Sequence, residues 1–99
     1  VSKRLILTPQ AEKDFDDAYD WYESQDQGLG KEFARCVDVK ITSIFRSPLQ
    51  HQVVHKNIVR RALINRFPFS IYFVDQKDVV LVFAILHQHR NPESWISRV

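Results

Sequence analysis

The chain is poor in cysteine, in glycine and in long apolar runs, and each scarcity excludes a class of protein. Cys36 stands alone, so no internal disulfide can form and nothing argues for secretion. The expected location is the cytoplasm. Two glycines in 99 residues, with 44% of the chain hydrophobic, exclude a disordered or linker-like segment. The longest apolar stretch, Val79 to Leu86, is eight residues. A membrane span needs about 20. The early run Leu5-Ile6-Leu7 stops at Thr8-Pro9 and is too short for the apolar core of a signal peptide. No repeat or low-complexity tract is present. What remains is one small globular domain over residues 1–99, large enough for one core.

The formal charge of +2 hides a division. Thr8 to Gln27 holds seven acids (Glu12, Asp14, Asp16, Asp17, Asp20, Glu23, Asp26) and one base, Lys13. That segment carries −6, which leaves +8 for the remainder. Segregated charge creates a directional field even when the total is small. It fits a basic surface for an acidic partner or a phosphate backbone. It equally fits an exposed acidic helix face with arginine at the strand ends.

The patterning predicts an α+β domain. Arg4 to Leu7 reads as a short strand. Thr8-Pro9 starts a helix, with Thr as N-cap and Pro at the first helical position. Ala11, Phe15, Ala18, Tyr19 and Tyr22 form one helical stripe, with Trp21 on its flank. Gly28-Leu29-Gly30 breaks the helix. A second stripe, Leu29, Phe33, Val37, Ile41, Ile44 and Phe45, runs to Ser47-Pro48, with Cys36 alongside. Phe15, Phe33 and Phe45 are assigned to the core. Leu49 to Asn57 lacks clean periodicity and reads as a loop or irregular edge. Strands follow at Val59 to Arg66, at Phe69 to Val74 with period-two alternation, and at Val79 to His87, apolar on both faces. The expected architecture is an N-terminal strand and a helical hairpin packed on one face of a small antiparallel meander.

Few residues suggest self-contained chemistry. His51 and His55 have the spacing of a helical metal pair, but Val53-Val54 and Pro48 oppose a helix and no third ligand is evident. No metal and no cofactor is expected. Cys36 reads as a buried, inert thiol. Both glycines are used at the helix break, so no phosphate-cradling loop exists. The informative cluster is Arg60, Arg61, Arg66, His87, His89 and Arg90. Arginine binds phosphate and carboxylate through a planar, permanently charged fork, and histidine can exchange a proton near neutral pH. Arg60 and Arg61 are adjacent on a strand and so point to opposite faces, which lets at most one join any single site. The other is free to pair with the acidic helix.

The run from Arg60 to Phe73, Arg-Arg-Ala-Leu-Ile-Asn-Arg-Phe-Pro-Phe-Ser-Ile-Tyr-Phe, resembles a strand pair of the RelE/ParE toxin superfamily. The ending from Ala84 to Trp95 resembles the ParE-type closing strand and tail, with His87, Arg90, Pro92 and Trp95 in the order H-x-x-R-x-P-x-x-W. Thr8-Pro9-Gln10-Ala11-Glu12-Lys13-Asp14, Trp21-Tyr22-Glu23 and Gly28-Leu29-Gly30 before Phe33 match as well. The resemblance spans nearly the whole chain. It implies the toxin of a type II toxin–antitoxin pair, held inactive by a cognate antitoxin in a hetero-oligomer. Promoter DNA would then be met only indirectly, through the antitoxin. It also implies one of two targets: DNA gyrase, inhibited by protein–protein contact in ParE-type members, or mRNA on the ribosome, cleaved by RelE-type endoribonucleases.

The nuclease needs a base, a cationic phosphate clamp and an acid. No Asp or Glu lies between Val39 and Phe73, and the last strand ends His87-Gln88-His89. Arg66 and His87, with Lys56 or His55, are what an improvised catalytic set would use. The gyrase-type reading is preferred. A third reading is a non-toxic binding or regulatory module of the same fold. The candidate contacts for target or antitoxin are Arg60, Arg61, Arg66, His87, His89, Arg90 and Trp95. Trp95 and Arg98 are expected in a tail that orders only on docking.

Overall fold

A computed structural model describes residues 3–99. The elements are β1 (Arg4–Leu7), α1 (Pro9–Gln25), α2 (Leu29–Arg46), a short 3-10 turn (Pro48–Gln50), β2 (Gln52–His55), β3 (Val59–Leu63), β4 (Phe69–Asp75), β5 (Val79–His87) and α3 (Glu93–Ile96). The five strands form one sheet in the order β1-β5-β4-β3-β2. The meander is antiparallel as expected, but β1 joins it parallel to β5, from Arg4 opposite Val79 to Leu7 opposite Val82. The α1–α2 hairpin is the crossover that brings the chain from β1 back to the meander.

Local chemistry accounts for the boundaries. Thr8 Oγ1 accepts the Ala11 N–H at 3.1 Å and Pro9 occupies the first turn, so α1 begins where the sequence places it. Gly28 has φ +91°, a left-handed conformation at the junction of the helices. Gly30 does not share that role. It lies within α2, where a Cβ would stand 2.9 Å from both the Tyr19 carbonyl oxygen and Glu23 Oε1. Its missing side chain is what lets the two helices approach. The segment read as loop or edge contains β2, a fifth strand with a bulge between Val53 and His55. It was hard to read because Lys56 and Asn57 form its hairpin turn with φ +50° and +61°, without glycine. The Ile58 N–H donates to the His55 carbonyl across that turn at 3.1 Å. β3 stops at Leu63 and not at Arg66, because Arg66 adopts φ +73° in the turn before Phe67-Pro68.

Two apolar layers cover the sheet. On one face Ala11, Ala18, Phe33, Val37 and Ile44 of the hairpin pack on Ala62, Ile71, Phe73, Val80, Val82 and Ile85. On the other, Val59, Tyr72, Phe83, Ala84 and Leu86 are covered by Trp95. The second layer corrects the expectation of a one-faced sheet and of a tail that orders only on docking. Trp95 is 7% exposed, and its ring stacks on Tyr72 with centroids 4.6 Å apart. Phe45 also departs from expectation: it is 39% exposed, while Ile44, one residue and about 100° away on the helix, takes the inward position. Cys36 is half-buried rather than buried.

A carboxylate holds the hairpin closed. Glu23 of α1 accepts the Gly28 N–H and the Gly30 N–H, each at 2.9 Å, at the start of α2. The Gly28 bond lowers the Glu23 pKa most; desolvation opposes it, and the Gly30 bond and the nearby Lys31 charge add smaller effects that leave the pKa below its ordinary value. A depressed carboxyl pKa contributes stability that is complete above the unfolded-state value of about 4.3. That contribution is lost as pH falls through the lower folded value. Glu23→Gln is therefore expected to flatten the fall in Tm between pH 7 and pH 3. Parallel melting curves across that range for the two proteins would contradict it.

Candidate functional site

The candidate side chains fall in separate places. Arg60 lies opposite Phe73 on the hairpin face of the sheet and Arg61 opposite Tyr72 on the other, as strand alternation requires. Neither reaches the acidic helix. Arg60 donates to the His51 carbonyl at 2.7 Å and Arg61 to Gln52 Oε1 at 3.2 Å, both within the β2 edge. His51 and His55 also part company. His51 faces Phe73, and burial, followed by the charges of Lys40 and Arg60, lowers its pKa. His55 faces Trp95. Among the described residues no three His, Cys, Asp or Glu side chains are grouped to hold a metal.

Arg66 sits at the β3–β4 turn beside α2. It donates to Glu32 Oε2 at 2.9 Å, an oxygen that also accepts from Arg35 at 2.6 Å. The bonds from Arg35 and then Arg66 lower the Glu32 pKa. With Arg35, Cys36, Val39 and Asn65, Arg66 lines a shallow depression. His87 does not line it. The pair that a nuclease would use is thus divided between two cavities.

His87, His89 and Arg90 do belong together. β5 ends at His87, so His89 lies in the following turn and not on the strand. The turn still brings the imidazoles to 5.2 Å, with the His89 N–H donating to His87 Nδ1 at 3.1 Å. His87 and Arg90 line a cavity of about 220 Å³ with Asp14, Asp17, Ala18, Phe69, Ile85 and Leu86. It adjoins a more apolar cavity of about 400 Å³ formed by Ala18, Trp21, Tyr22, Pro68, Phe69 and His87. Eight of those residues line only one of the two cavities, but Ala18, Phe69 and His87 are common to both. The result is one groove between α1 and the end of β5. Trp21 is 58% exposed on its rim, packed edge-on against Tyr22.

Asp14 builds the inner end of this groove and was missed by sequence reasoning. Opposite the Tyr72–Phe73 step, β5 carries one extra residue, Phe83, between Val82 and Ala84. Asp14 Oδ2 accepts the Ile85 N–H at 3.1 Å, and Arg98 donates to the Phe83 carbonyl at 3.1 Å. The two side chains also pair with each other, Arg98 Nη1 to Asp14 Oδ2 at 2.6 Å and Nη2 to Oδ1 at 3.2 Å. An acid from α1 and a base from the tail thereby serve the backbone of the bulge. The signal was available: Asp14 follows Ala11 by three and precedes Ala18 by four, which puts a carboxylate on the buried stripe.

No curated relative matches the chain by sequence. Among solved structures it is similar to a chain described as the chromosomal ParDE TA system from P. aeruginosa. That likeness has a TM-score of 0.77 at 19% identity, over 86% of this chain and 95% of that one, and is a likeness of fold. No described helix is long and apolar enough to cross a membrane. The family model described as the ParE toxin of type II toxin-antitoxin system, parDE, matches residues 5–92, from β1 through the groove-forming turn after β5. With its hairpin, mixed sheet and closing strand in that order, the chain belongs to the ParE toxin family of type II toxin–antitoxin systems.

Proposed function

We propose that this chain arrests growth by binding DNA gyrase through protein–protein contact, and that a cognate antitoxin neutralises it. The observation that carries the reading is the division of the basic residues. Arg66 is tied to Glu32 beside α2, whereas His87 lies in the α1–β5 groove. General acid–base cleavage of RNA requires a proton-transfer group and a phosphate clamp at one scissile bond. Surface recognition has no such requirement, and it can use arginines spread over the β2–β3 edge, the β3–β4 turn and the groove.

The expected result is loss of gyrase supercoiling at near-stoichiometric purified toxin, with no new mRNA ends by primer extension after induction. Unimpaired supercoiling at stoichiometric excess overturns the gyrase target. Cleavage of translated mRNA that disappears in His87→Ala replaces it with the ribosome-dependent nuclease. Unaffected growth on induction, with tight binding of the adjacently encoded protein, assigns the chain to non-toxic regulation.

A further inference from the structure

β5 is nine residues long, but β1 covers only its first half, ending with the Thr8 N–H on the Val82 carbonyl at 2.9 Å. Beyond that point the edge of β5 is open. The bulge at Phe83 shifts its phase, so that the Phe83 carbonyl and the Ile85 N–H both point away from β4, toward Arg98 and Asp14. A strand residue presents its N–H and C=O to the same side. The Ile85 carbonyl and, one alternation later, the His87 N–H therefore also point away from β4, into the groove beside α1. Among the described residues, neither group has a hydrogen-bond partner. Their spacing is that of a sheet edge. One residue of an added parallel strand, laid opposite Leu86, would donate to the first and accept from the second.

The groove also defines the side chains of such a strand. Its apolar part, between Trp21, Tyr22, Pro68 and Phe69, has room for one large apolar side chain. The acids on its α1 wall are already engaged, Asp14 by Arg98 and Asp17 by Lys13. Arg90 at the mouth has no ion-pair partner among the described residues. The uncompensated charge at the mouth is cationic.

We propose that the open half of β5 takes up an extended peptide segment of a protein partner by strand addition. An apolar side chain seats beside Trp21, and a neighbouring acidic side chain meets Arg90. The inference rests on the reading of this chain as the toxin half of a pair, because the partner it commits to is the antitoxin's tail. The test separates the two by using peptides first. A phage-displayed library of random 12-residue peptides is selected on the full chain. Enriched peptides are expected to carry an acid next to a large apolar residue and to slow hydrogen exchange at the His87 amide at least tenfold. Their affinity should fall at least tenfold with Trp21→Ala, an exposed position whose loss spares the fold, and with Arg90→Glu. Binding insensitive to both variants, unchanged exchange at His87, or no enrichment overturns the site. If peptides bind as described but the adjacently encoded protein binds Trp21→Ala as tightly as the parent, the antitoxin is not the occupant. The toxin reading itself then stands or falls on the growth and supercoiling assays.

Discussion

Phe33→Ala is expected to destabilise the domain by about 3–5 kcal/mol, the range for truncating a buried aromatic. Phe33 is fully buried at the centre of the hairpin face. Four rings surround it, those of Phe15, Tyr22, Phe67 and Phe69, with centroids 5.8, 5.3, 5.3 and 5.1 Å away. Those rings come from α1, from the β3–β4 turn and from β4, so no single element can move to fill the void. Tilted and edge-on ring pairs add to the area term. A domain near 100 residues loses roughly 4–8 °C in Tm per kcal/mol. Thermal unfolding should therefore show a fall well beyond 10 °C, or no cooperative transition at all. Phe33→Leu should recover most of it, because the volume change is smaller. A shift below 5 °C in the alanine variant would mean that the hairpin does not depend on this cluster. Tyr22 and Phe69 also form the floor of the α1–β5 groove. Toxicity of Phe33→Ala is then expected to fall with its folded fraction, whereas Trp21→Ala should leave Tm within about 2 °C.

The parts of this fold that follow one period were legible in the sequence, and the parts that depend on two distant segments were not. α1 and α2 carry stripes and caps that admit one reading, and β4 alternates cleanly. β2 is four residues long, lies at an edge, bulges and turns through Lys56-Asn57. Each of those features removes a cue that strand recognition uses. The order of the tail is hidden for a different reason. Its four-residue helix has no sequence periodicity to find, and its order comes from Tyr72 and Asp14, 23 and 84 residues away. The site shows the same limit. His87, His89 and Arg90 are neighbours in the chain and proved to be neighbours in space. Arg60, Arg61 and Arg66 do not join them, because the meander spaces their strands across the sheet. Trp95, read as a contact residue, is packed into the second core layer and 7% exposed. The charge division found in the sequence has a local counterpart: one acid of the −6 segment, Asp14, holds one base of the tail.

Asp14→Ala is expected to be the second large loss, about 3 kcal/mol. The pair it forms with Arg98 is 12% and 15% exposed at its side chains, so water screens it little. Removing one member of a buried ion pair typically costs about 3–5 kcal/mol, because the other charge stays behind unpaired. Here the carboxylate has a further duty. It takes the Ile85 N–H, which β4 cannot reach and β1 does not extend to, and Arg98 does the same for the Phe83 carbonyl. Loss of Asp14 leaves a backbone donor without its acceptor and frees the arginine that fastens the tail over β5. Arg98→Ala should cost less, about 2 kcal/mol, since it leaves a carboxylate that still accepts from Ile85. The two losses should not add: in a double-mutant cycle the variant lacking both is expected to be more stable than the sum predicts by about 1–3 kcal/mol. Denaturant unfolding measures the cycle, and hydrogen exchange at the Ile85 amide reports the bulge directly. Strict additivity, or unchanged protection of Ile85 in Asp14→Ala, would mean that the pair decorates the surface. If the cycle shows the coupling, the inner end of the groove is a fixed wall. The stretch of β5 open to an incoming strand then begins at the Ile85 carbonyl, because every edge group before it is already taken.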